Sequence, residues 1–231
     1  MLEDLPEVEA VLLDAGGVLL LPDPVAIRRE IASLGTAVVP DDDTCRRAHY
    51  LSMRELDRIG EVDWVAVDRV LCDALGVPPE WSDGALAGME RVYIQWPWVP
   101  VAGAAEALRT LEERGLPIAV VSNANGTMEQ QLAEHQICSV DGSMCARVEL
   151  VIDSHVVGVE KPDPKIFELA LAQLDVPAER CVYAGDTVYF DVNGARAAGL
   201  TPVHVDPFGL CPGVGDHAHV ESIAHLAAAL V

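Results

Sequence analysis

The sequence predicts an α/β fold built on a parallel sheet, and three observations indicate it. Short apolar runs recur along the chain and end in polar or glycine residues, as residues 8–13 do before Asp14. Outside one long stretch these runs alternate with segments of helical period, which is typical of parallel strands joined by right-handed crossovers. The chain has 231 residues and 51% of them are hydrophobic, which suits one such domain with a smaller insert.

The first strand is predicted at residues 8–13, and glycines follow it in a tight turn. From about residue 24 to residue 95 the pattern becomes helical and contains no convincing strand. Asp41 is predicted to cap the second helix of this stretch, and we interpret the acidic residues after it as part of that cap rather than as a metal site. The predicted helices of the insert are at residues 25–34, 41–59, 62–75 and 81–95.

Alternation of helices and strands resumes after the segment 96–100, whose prolines end the last helix of the insert. We therefore predict a core domain of residues 1–22 and 97–231 and an inserted helical domain of residues 23–96. Residues 138–147 show no clear period and are predicted to form an irregular loop. The later strands are predicted at residues 116–121, 150–153, 181–184 and 201–205, and the later helices at residues 104–114, 127–135, 164–174, 191–198 and 221–231.

Polar side chains stand at the ends of three predicted strands. Asp14 follows the first strand, Ser122 and Asn123 follow the second, and Asp186 comes after the strand at residues 181–184. Open α/β folds bind their ligands at the carboxyl ends of parallel strands, so these side chains are expected to converge. A carboxylate in the position of Asp14 can act as a nucleophile or as a metal ligand, although by itself it is equally typical of a turn.

Two more charged residues complete a pattern in fixed order. Lys161 lies in the segment 158–164, and Asp191 comes five residues after Asp186. Together the strand-end residues and these two charges resemble the four motifs of the haloacid dehalogenase (HAD) superfamily, over about residues 8–205. The resemblance implies a Rossmann-like, doubly wound parallel sheet core with an inserted α-helical cap, as in subfamily I with its C1 cap. It also implies that the cap covers the site.

The resemblance implies a hydrolase that uses Asp14 as its nucleophile. Its expected activity is that of a Mg²⁺-dependent phosphatase, which forms an aspartyl-phosphate and acts on a small phosphorylated metabolite. By the resemblance, Mg²⁺ is held by the carboxylates of Asp14 and Asp186 and by the backbone carbonyl of Gly16. A cation is needed because an ionised carboxylate and an anionic phosphate repel each other.

The same resemblance assigns roles to the remaining motif residues. Ser122 and the backbone N–H groups of Ala15 and Asn123 are expected to bind the phosphoryl oxygens. Lys161 is expected to supply positive charge to the nucleophile and to the developing oxyanion. Asp191 is expected to orient Lys161 or to act on the metal through water.

Gly16 departs from the family pattern. Phosphatases of this superfamily usually carry an aspartate two residues after the nucleophile, and it protonates the leaving alcohol and then activates water. A positioned acid or base contributes about 10²–10⁴-fold. Its loss leaves three possibilities: another acid such as Asp23 or a cap residue, a leaving group that needs no proton, or slow or absent catalysis.

Two alternatives to a phosphatase follow from that departure. A haloacid dehalogenase would also use Asp14 but would form an alkyl ester, and a halide leaves without a proton. The dehalogenases of the family typically have an aromatic residue at the Gly16 position and an Arg at the start of the insert, and generally lack the Gly185–Asp186 pair. The second alternative is a non-catalytic binding protein on the same fold. The metal-dependent interpretation leads because Gly185–Asp186 is present.

Composition restricts the partners and the compartment. A formal net charge of −22 argues against nucleic acid. The sequence has no apolar run of the roughly 18 residues that a membrane span needs. The acidic start of the chain does not resemble a signal peptide, so a cytoplasmic location is expected. The expected partner is a small-molecule substrate, and the choice between monomer and homodimer is left open.

Cysteine and histidine patterns suggest no metal site in the sequence. The six cysteines form no CxxC pair, and reduced, structural thiols are expected. Four histidines lie near the C-terminus and fit no standard ligand spacing. They are predicted to be surface residues: His204, His217, His219 and His225.

Overall fold

A computed structural model of the chain describes residue 5 and residues 7–95, 98–211, 213 and 216–230. Contacts divide the chain into two compact units, Met1–Leu19 with Pro100–Val231, and Leu20–Val99. The predicted domain boundary at residues 96 and 97, part of the acidic start of the chain and the last residue of the predicted final helix lie outside the described residues.

The first unit is built on a six-stranded sheet in which every neighbouring pair for which a register is defined is parallel. Its strands follow one another in the order β10-β9-β8-β1-β4-β7. Helices flank this sheet, so the predicted Rossmann-like α/β fold is confirmed. The strands are β1 (Ala10–Leu13), β4 (Ile118–Ser122), β7 (Leu150–Asp153), β8 (Cys181–Gly185), β9 (Thr201–Val205) and β10 (Ala218–Val220).

Between the strands of this unit the chain is mostly helical. A π-helical turn, Val188–Val192, leads directly into α9. The helices are α5 (Ala104–Glu113), α6 (Met128–Glu134), α7 (Ser154–Val157), α8 (Lys165–Leu174), α9 (Asn193–Ala197) and α10 (Ile223–Ala229).

One face of the sheet is covered by α8. Alternate residues of four strands point to this face, and the core there includes Leu12, Val121 and Tyr183 together with Phe167 of α8. Phe167 is fully buried and its ring meets that of Tyr183 edge-on, with centroids 4.8 Å apart. The other residues of the central strands are also buried, as expected for a parallel sheet covered on both faces.

The second unit is helical apart from the short paired strands β2 (Leu20–Pro22) and β3 (Trp98–Pro100). Asp41 caps the second helix by accepting a hydrogen bond from the Thr44 N–H at 2.7 Å, which confirms the predicted cap. Apolar residues from all four helices form one buried core. The helices are α1 (Pro24–Ser33), α2 (Asp42–Ile59), α3 (Trp64–Ala74) and α4 (Ser82–Gln95).

Most predicted elements are present within one to three residues of their expected ends. Residues 138–147 are not wholly irregular, because they contain the short parallel strands β5 (Cys138–Ser139) and β6 (Ala146–Arg147). The strands β2, β3 and β10 were not predicted. Each has only three residues, too few to show a period.

The surface prediction for the C-terminal histidines is wrong for two of the four. His204 is buried and the His217 side chain is 1% exposed, and His219, of intermediate exposure, lies beside them. Pairing of β9 with β10 causes this grouping, and β10 gives no signal in the sequence. His225 is exposed, as predicted.

All six cysteines are free thiols, and five of them are buried. Among the helices of the described residues, none combines the length with the apolar character that crossing a membrane requires.

The packing of α8 predicts unequal costs for two truncations on the same helix. Phe167→Ala should lower the free energy of unfolding by about 3–5 kcal/mol, because it empties a fully buried site. Leu169→Ala is the matched control; its side chain is 41% exposed and should cost less than about 1 kcal/mol. Urea denaturation measures both. Equal losses of unfolding free energy in the two variants would show that the sheet face under α8 is not a packed core.

Candidate active site

Asp14 lies where the order of the sheet reverses. From β1 the chain proceeds to β4 and β7 on one side, and later to β8, β9 and β10 on the other. In open α/β sheets, ligands bind beyond the carboxyl ends of the strands at such a switch point. The backbone N–H of Asp14 donates to the carbonyl of Ala184 at 2.8 Å, which holds Asp14 in line with the sheet.

The buried ammonium of Lys161 connects the candidate residues. Its Nζ lies 2.9 Å from Asp14 Oδ2 and 2.7 Å from Asp191 Oδ1, and the lysine side chain is 2% exposed. A third hydrogen bond, 3.0 Å long, runs from Nζ to the hydroxyl of Tyr183. Tyr183 in turn bonds Asp191 Oδ1 at 2.9 Å. The ammonium therefore has an oxygen partner for each of its three protons.

Asp191 and Lys161 are each held by a second residue. The hydroxyl and the backbone N–H of Thr187 donate to Asp191 Oδ2 at 2.6 and 3.0 Å. The side chain of Asn123 bonds the backbone of Lys161 in both directions, at 2.7 and 3.0 Å. Asn123 was predicted to contribute its backbone N–H, and its side chain has this additional positioning contact.

These contacts shift the pKa values of the buried charges in different directions. Burial raises the pKa of Asp14 to about 7; Lys161 opposes that rise, and the charges of Asp191 and Asp186 add to it. Burial also acts to lower the pKa of Lys161, but its carboxylate partners outweigh burial and keep the pKa above its usual value. For Asp191, Lys161 and the hydrogen bonds from Thr187 outweigh burial, so the pKa of Asp191 lies below its usual value.

Two glycines make room for the carboxylates. A Cβ at Gly17, where φ is +68°, would lie 2.0 Å from Asp186 Oδ2. A Cβ at Gly185 would lie 2.2 Å from the carboxyl carbon of Asp191. Both distances are far below van der Waals contact, so any side chain at these positions would displace a carboxylate of the site.

Asp153 shapes the loop that follows Ser122, and it was not predicted from the sequence. Its carboxylate accepts hydrogen bonds from the backbone N–H groups of Gly126, Met128 and His155, at 2.8, 3.2 and 3.0 Å. The register places Asp153 opposite Ser122 at the end of the sheet. The position of Asp153 at the end of the predicted strand 150–153 was a usable signal, of the same kind as that of Asp14 after the first strand.

Tyr183 and Thr187 were also missed. Tyr183 occupies an inward position of a buried strand, where an aromatic residue is ordinarily read as packing. Thr187 follows Asp186 directly and would be read as a helix cap, which it also is, since it accepts from the Phe190 N–H at 3.3 Å. A polar atom on a fully buried strand was the available signal for Tyr183.

The other predicted residues lie as follows. The backbone N–H of Ala15 donates to Asp14 Oδ1 at 2.7 Å, and Gly16 is half-buried beside it. Ser122 is buried at the end of β4. Asp23, considered as a replacement acid, caps α1 in the other unit through the Val25 N–H at 2.9 Å.

The carboxylates of Asp14, Asp186 and Asp191 are close enough to hold a metal ion together, with one oxygen from each lying within 4.8 Å of the others. When all three are ionised, their negative charge exceeds the single positive charge of Lys161 by two. Carboxylate oxygens are hard ligands of the kind that Mg²⁺ prefers. The excess of buried negative charge and the donor type both fit a divalent cation.

Comparison with known proteins identifies the family. Residues 8–199 match the sequence model of the haloacid dehalogenase-like hydrolases. The chain belongs to this family. The resemblance to the HAD superfamily that was drawn from its motifs is thereby confirmed.

Several curated relatives of this HAD hydrolase are phosphatases by name. It is 36% identical over 107 residues to ribulose-1,5-bisphosphate 5-phosphatase of Halopiger xanaduensis, a match that covers 46% of this chain and 42% of the relative. It is 33% identical over 144 residues to phosphoserine phosphatase of Thermus thermophilus, which covers 60% and 54%. The matches span about half of the length of these relatives.

Solved structures share the fold at lower identity. The putative HAD-hydrolase YfnB of Bacillus subtilis, solved with magnesium bound, superposes with a TM-score of 0.64 at 18% identity, over 97% of this chain and 99% of that one. At this identity the likeness establishes the fold.

The raised pKa of Asp14 predicts that Asp14→Asn changes stability with pH. The folded-state pKa of about 7 lies above the ordinary 3.8, so between these values the folded protein keeps a proton that the unfolded chain has released. This carboxyl therefore lowers the free energy of unfolding progressively as the pH rises from 4 to 7, and by its full amount above 7. In chelator, Asp14→Asn should be more stable than the parent at about pH 8, by on the order of 1–4 kcal/mol.

The advantage of Asp14→Asn should shrink towards about pH 5, where the parent carboxyl is largely protonated in the folded state. Urea denaturation at both pH values measures it. Glu112→Gln, at an exposed acidic residue of the same unit, controls for the general loss of one negative charge. A variant that is less stable than the parent at pH 8 would contradict the raised pKa of the buried Asp14 carboxyl.

Proposed function

We propose that this HAD hydrolase is a Mg²⁺-dependent phosphatase that acts on a small phosphorylated metabolite. The observation that carries the proposal is the buried group of three carboxylates at the switch point of the sheet, two of which bond the ammonium of Lys161. Such an excess of negative charge suits an anionic substrate only with a cation present. A halide displacement, which has no phosphate to neutralise, does not require this arrangement.

Asp14, Asp186 and the backbone carbonyl of Gly16 are the groups that would hold Mg²⁺. When bound, the ion would neutralise the carboxylates and the phosphate and would lower the pKa of Asp14, so that its carboxylate is ionised at neutral pH. Asp191 is assigned to Lys161 instead, because its two oxygens already accept from Lys161, Tyr183 and Thr187.

Asp14 is the nucleophile of the proposed reaction. Its oxygen attacks phosphorus, the bond from phosphorus to the leaving oxygen breaks, and an aspartyl-phosphate forms. Water then attacks phosphorus, and inorganic phosphate and the free carboxylate of Asp14 are released. The hydrogen bond from Lys161 holds the carboxylate in one orientation throughout, which contributes by positioning.

Charge that develops on the phosphoryl group is balanced by the chain's own donors. The ammonium of Lys161 stays protonated, because its carboxylate partners raise its pKa. Ser122 and the N–H groups of Ala15 and Asn123 are assigned to the phosphoryl oxygens. Donors that are already oriented before the reaction stabilise a transition state without a cost of reorganisation.

Protonation of the leaving group is the step for which Gly16 offers no donor. An alkoxide leaves poorly without a proton, whereas an aryl oxide or an acyl oxygen leaves more easily. The proposal therefore favours substrates whose leaving group is weakly basic, or an acid supplied from the 20–99 unit. Asp23 and other residues of the segment 23–96, which we propose to be the cap domain, are the candidates for that acid.

The named relatives support phosphatase activity and leave the substrate open. One is named for ribulose-1,5-bisphosphate and the other for phosphoserine, so the shared feature is a phosphate ester on a small molecule. We propose a cytoplasmic location. The six free thiols agree with it, since proteins with several cysteines and no disulfide are typical of a reducing compartment. The protein is proposed to work as a monomer or a homodimer, without nucleic acid or membrane partners.

A haloacid dehalogenase is the second candidate function, and Gly16 is the observation that favours it. A halide leaves without a proton, so the missing acid would cost that reaction nothing. A screen of phosphorylated metabolites and haloacids, each with and without Mg²⁺, separates the candidates: phosphate release that depends on Mg²⁺ supports the proposal, and halide release overturns it. Mg²⁺-dependent binding of a phosphate ester without turnover would indicate a binding protein.

Asp14→Asn should remove turnover on whichever ester the screen identifies. Asn has nearly the same shape but cannot form the covalent acyl intermediate, and loss of a covalent residue costs far more than tenfold. Steady-state phosphate release measures it, with Glu112→Gln as the control and with deamidation excluded by mass spectrometry. Activity above about a tenth of the parent's would overturn the role of Asp14 as nucleophile.

Gly16→Asp should raise phosphatase activity, and more for an alkyl ester than for an aryl ester. General acid catalysis helps most where the leaving oxygen is most basic, so the alkyl ester gains up to the order of 10²-fold. The parent should hydrolyse the aryl ester measurably, and a chelator should abolish both activities. A melting curve checks that Gly16→Asp is folded. A folded variant with no gain on either ester shows that the acid is supplied elsewhere or that ester hydrolysis is not the reaction.

A further inference from the structure

A second group of metal-binding side chains lies at the edge of the sheet, apart from the catalytic carboxylates. Cys211 is in the loop after β9, and three histidines belong to β9, to β10 and to the residue before β10. One ligand atom from each of the four residues lies within 4.8 Å of those of the other three. They are His204, Cys211, His217 and His219.

Strand pairing explains why the histidines meet. The register of β9 with β10 places His204 opposite His219, and opposite residues of paired strands point to the same face. His217 is two residues before His219, which puts it on that face as well. The imidazole centroids lie 4.4 to 5.4 Å apart. The group is thus held by the sheet itself.

Hydrogen bonds on the outer side of the group orient the rings of His204 and His217. Each ring thereby turns a nitrogen lone pair toward the other ligands. His204 Nε2 lies 3.0 Å from the backbone carbonyl of Asp186; a carbonyl only accepts, so Nε2 carries the proton and Nδ1 carries the lone pair. His217 Nδ1 bonds the carboxylate of Asp216, which leaves the lone pair on its Nε2. Metal-bound histidines characteristically donate their outer N–H to a carbonyl or carboxylate in this way.

The inward atoms are spaced as ligands of one tetrahedral ion. His204 Nδ1 lies 3.3 Å from His217 Nε2, and that nitrogen lies 3.6 Å from Cys211 Sγ. Zinc bonds of about 2.0 Å to nitrogen and about 2.3 Å to sulfur, at tetrahedral angles, separate two nitrogens by roughly 3.3 Å and nitrogen from sulfur by roughly 3.5 Å. His219 Nε2 is a buried nitrogen that has no hydrogen-bond partner in the described part of the chain.

A protonated histidine group is the alternative to a metal. A proton between His204 and His217 would also relieve the repulsion of two facing lone pairs. A proton would also leave His219 Nε2 without a partner, whereas an ion shared by four ligands satisfies it.

We propose that His204, Cys211, His217 and His219 bind one tetrahedral divalent transition-metal ion, and that zinc is the ion their donors fit best. Three imidazoles and a thiolate suit zinc and exclude Mg²⁺, which prefers oxygen. Four protein ligands leave no open position, so the ion is structural. It fastens the loop after β9 and the edge strand β10 to the sheet. Through His204 it also supports the backbone of Asp186.

Cobalt substitution tests the ligand set directly. The protein is stripped of metal under reducing conditions, loaded with Co²⁺ and examined by absorption spectroscopy. We expect an intense tetrahedral ligand-field band and a thiolate-to-cobalt charge-transfer band, and we expect Zn²⁺ to displace the cobalt. Asp14→Asn should keep both bands, because the carboxylate site contains no sulfur. Absence of the charge-transfer band in the parent protein would overturn the proposal.

Matched variants assign the bands to residues. Cys211→Ser should abolish the charge-transfer band and weaken zinc binding by more than the 10–100-fold typical of losing an outer-shell partner, whereas Cys145→Ser should change neither. His219→Ala should weaken binding similarly, and the exposed His225→Ala should not. Competition with a chromophoric chelator measures affinity. A charge-transfer band that survives in Cys211→Ser would show that the metal is bound elsewhere.

Stability provides a readout independent of the spectrum. Zinc should raise the melting temperature of the parent in proportion to its binding, because an ion that binds only the folded chain stabilises it. This increase should be much reduced in Cys211→Ser and unchanged in Cys145→Ser. A zinc effect of equal size in both variants would contradict a structural ion at this position.

Discussion

The buried ammonium of Lys161 is the contact on which the geometry of the site depends. It bonds a carboxylate from β1 and another from the π-helical turn after β8, and the hydroxyl of Tyr183 is its third partner. Removing this ammonium would leave two buried carboxylates without compensation, a loss that typically costs about 3–5 kcal/mol. Asp14 and Asp191 therefore hold their positions only as a group with Lys161. The glycines at 17 and 185 supply the space that this close approach needs.

Asp186 connects the two polar groups of this unit. Its carboxylate belongs to the candidate metal site with Asp14, while its backbone carbonyl accepts from His204 of the histidine–cysteine group. Parallel pairing of β8 with β9 sets Gly185 opposite His204, which brings the two groups together. Anything that moves the edge strands would therefore act on the position of Asp186, because one residue belongs to both networks.

The sequence by itself determined the order of the longer helices and strands and the location of the candidate catalytic residues. Buried parallel strands are continuous apolar runs, so their ends are visible, and each end marks a place at one edge of the sheet. That is why Asp14, Ser122 and Asp186 were predicted to converge without any structure. The fixed order of these residues, with Lys161 between Ser122 and Asp186 and Asp191 last, was enough to indicate the family.

Only the tertiary structure decided which atoms meet. The contact of Tyr183 on β8 with Lys161 depends on how the segment 158–164 packs against the sheet, and no local pattern encodes that position. The same is true of Asp153, two of whose three backbone partners, Gly126 and Met128, follow another strand. The histidine–cysteine group was invisible because β10 is too short to show a period, and ligand spacing that crosses two strands follows no linear motif. Pairing of β9 with β10, a long-range contact, alone brought His204 beside His219.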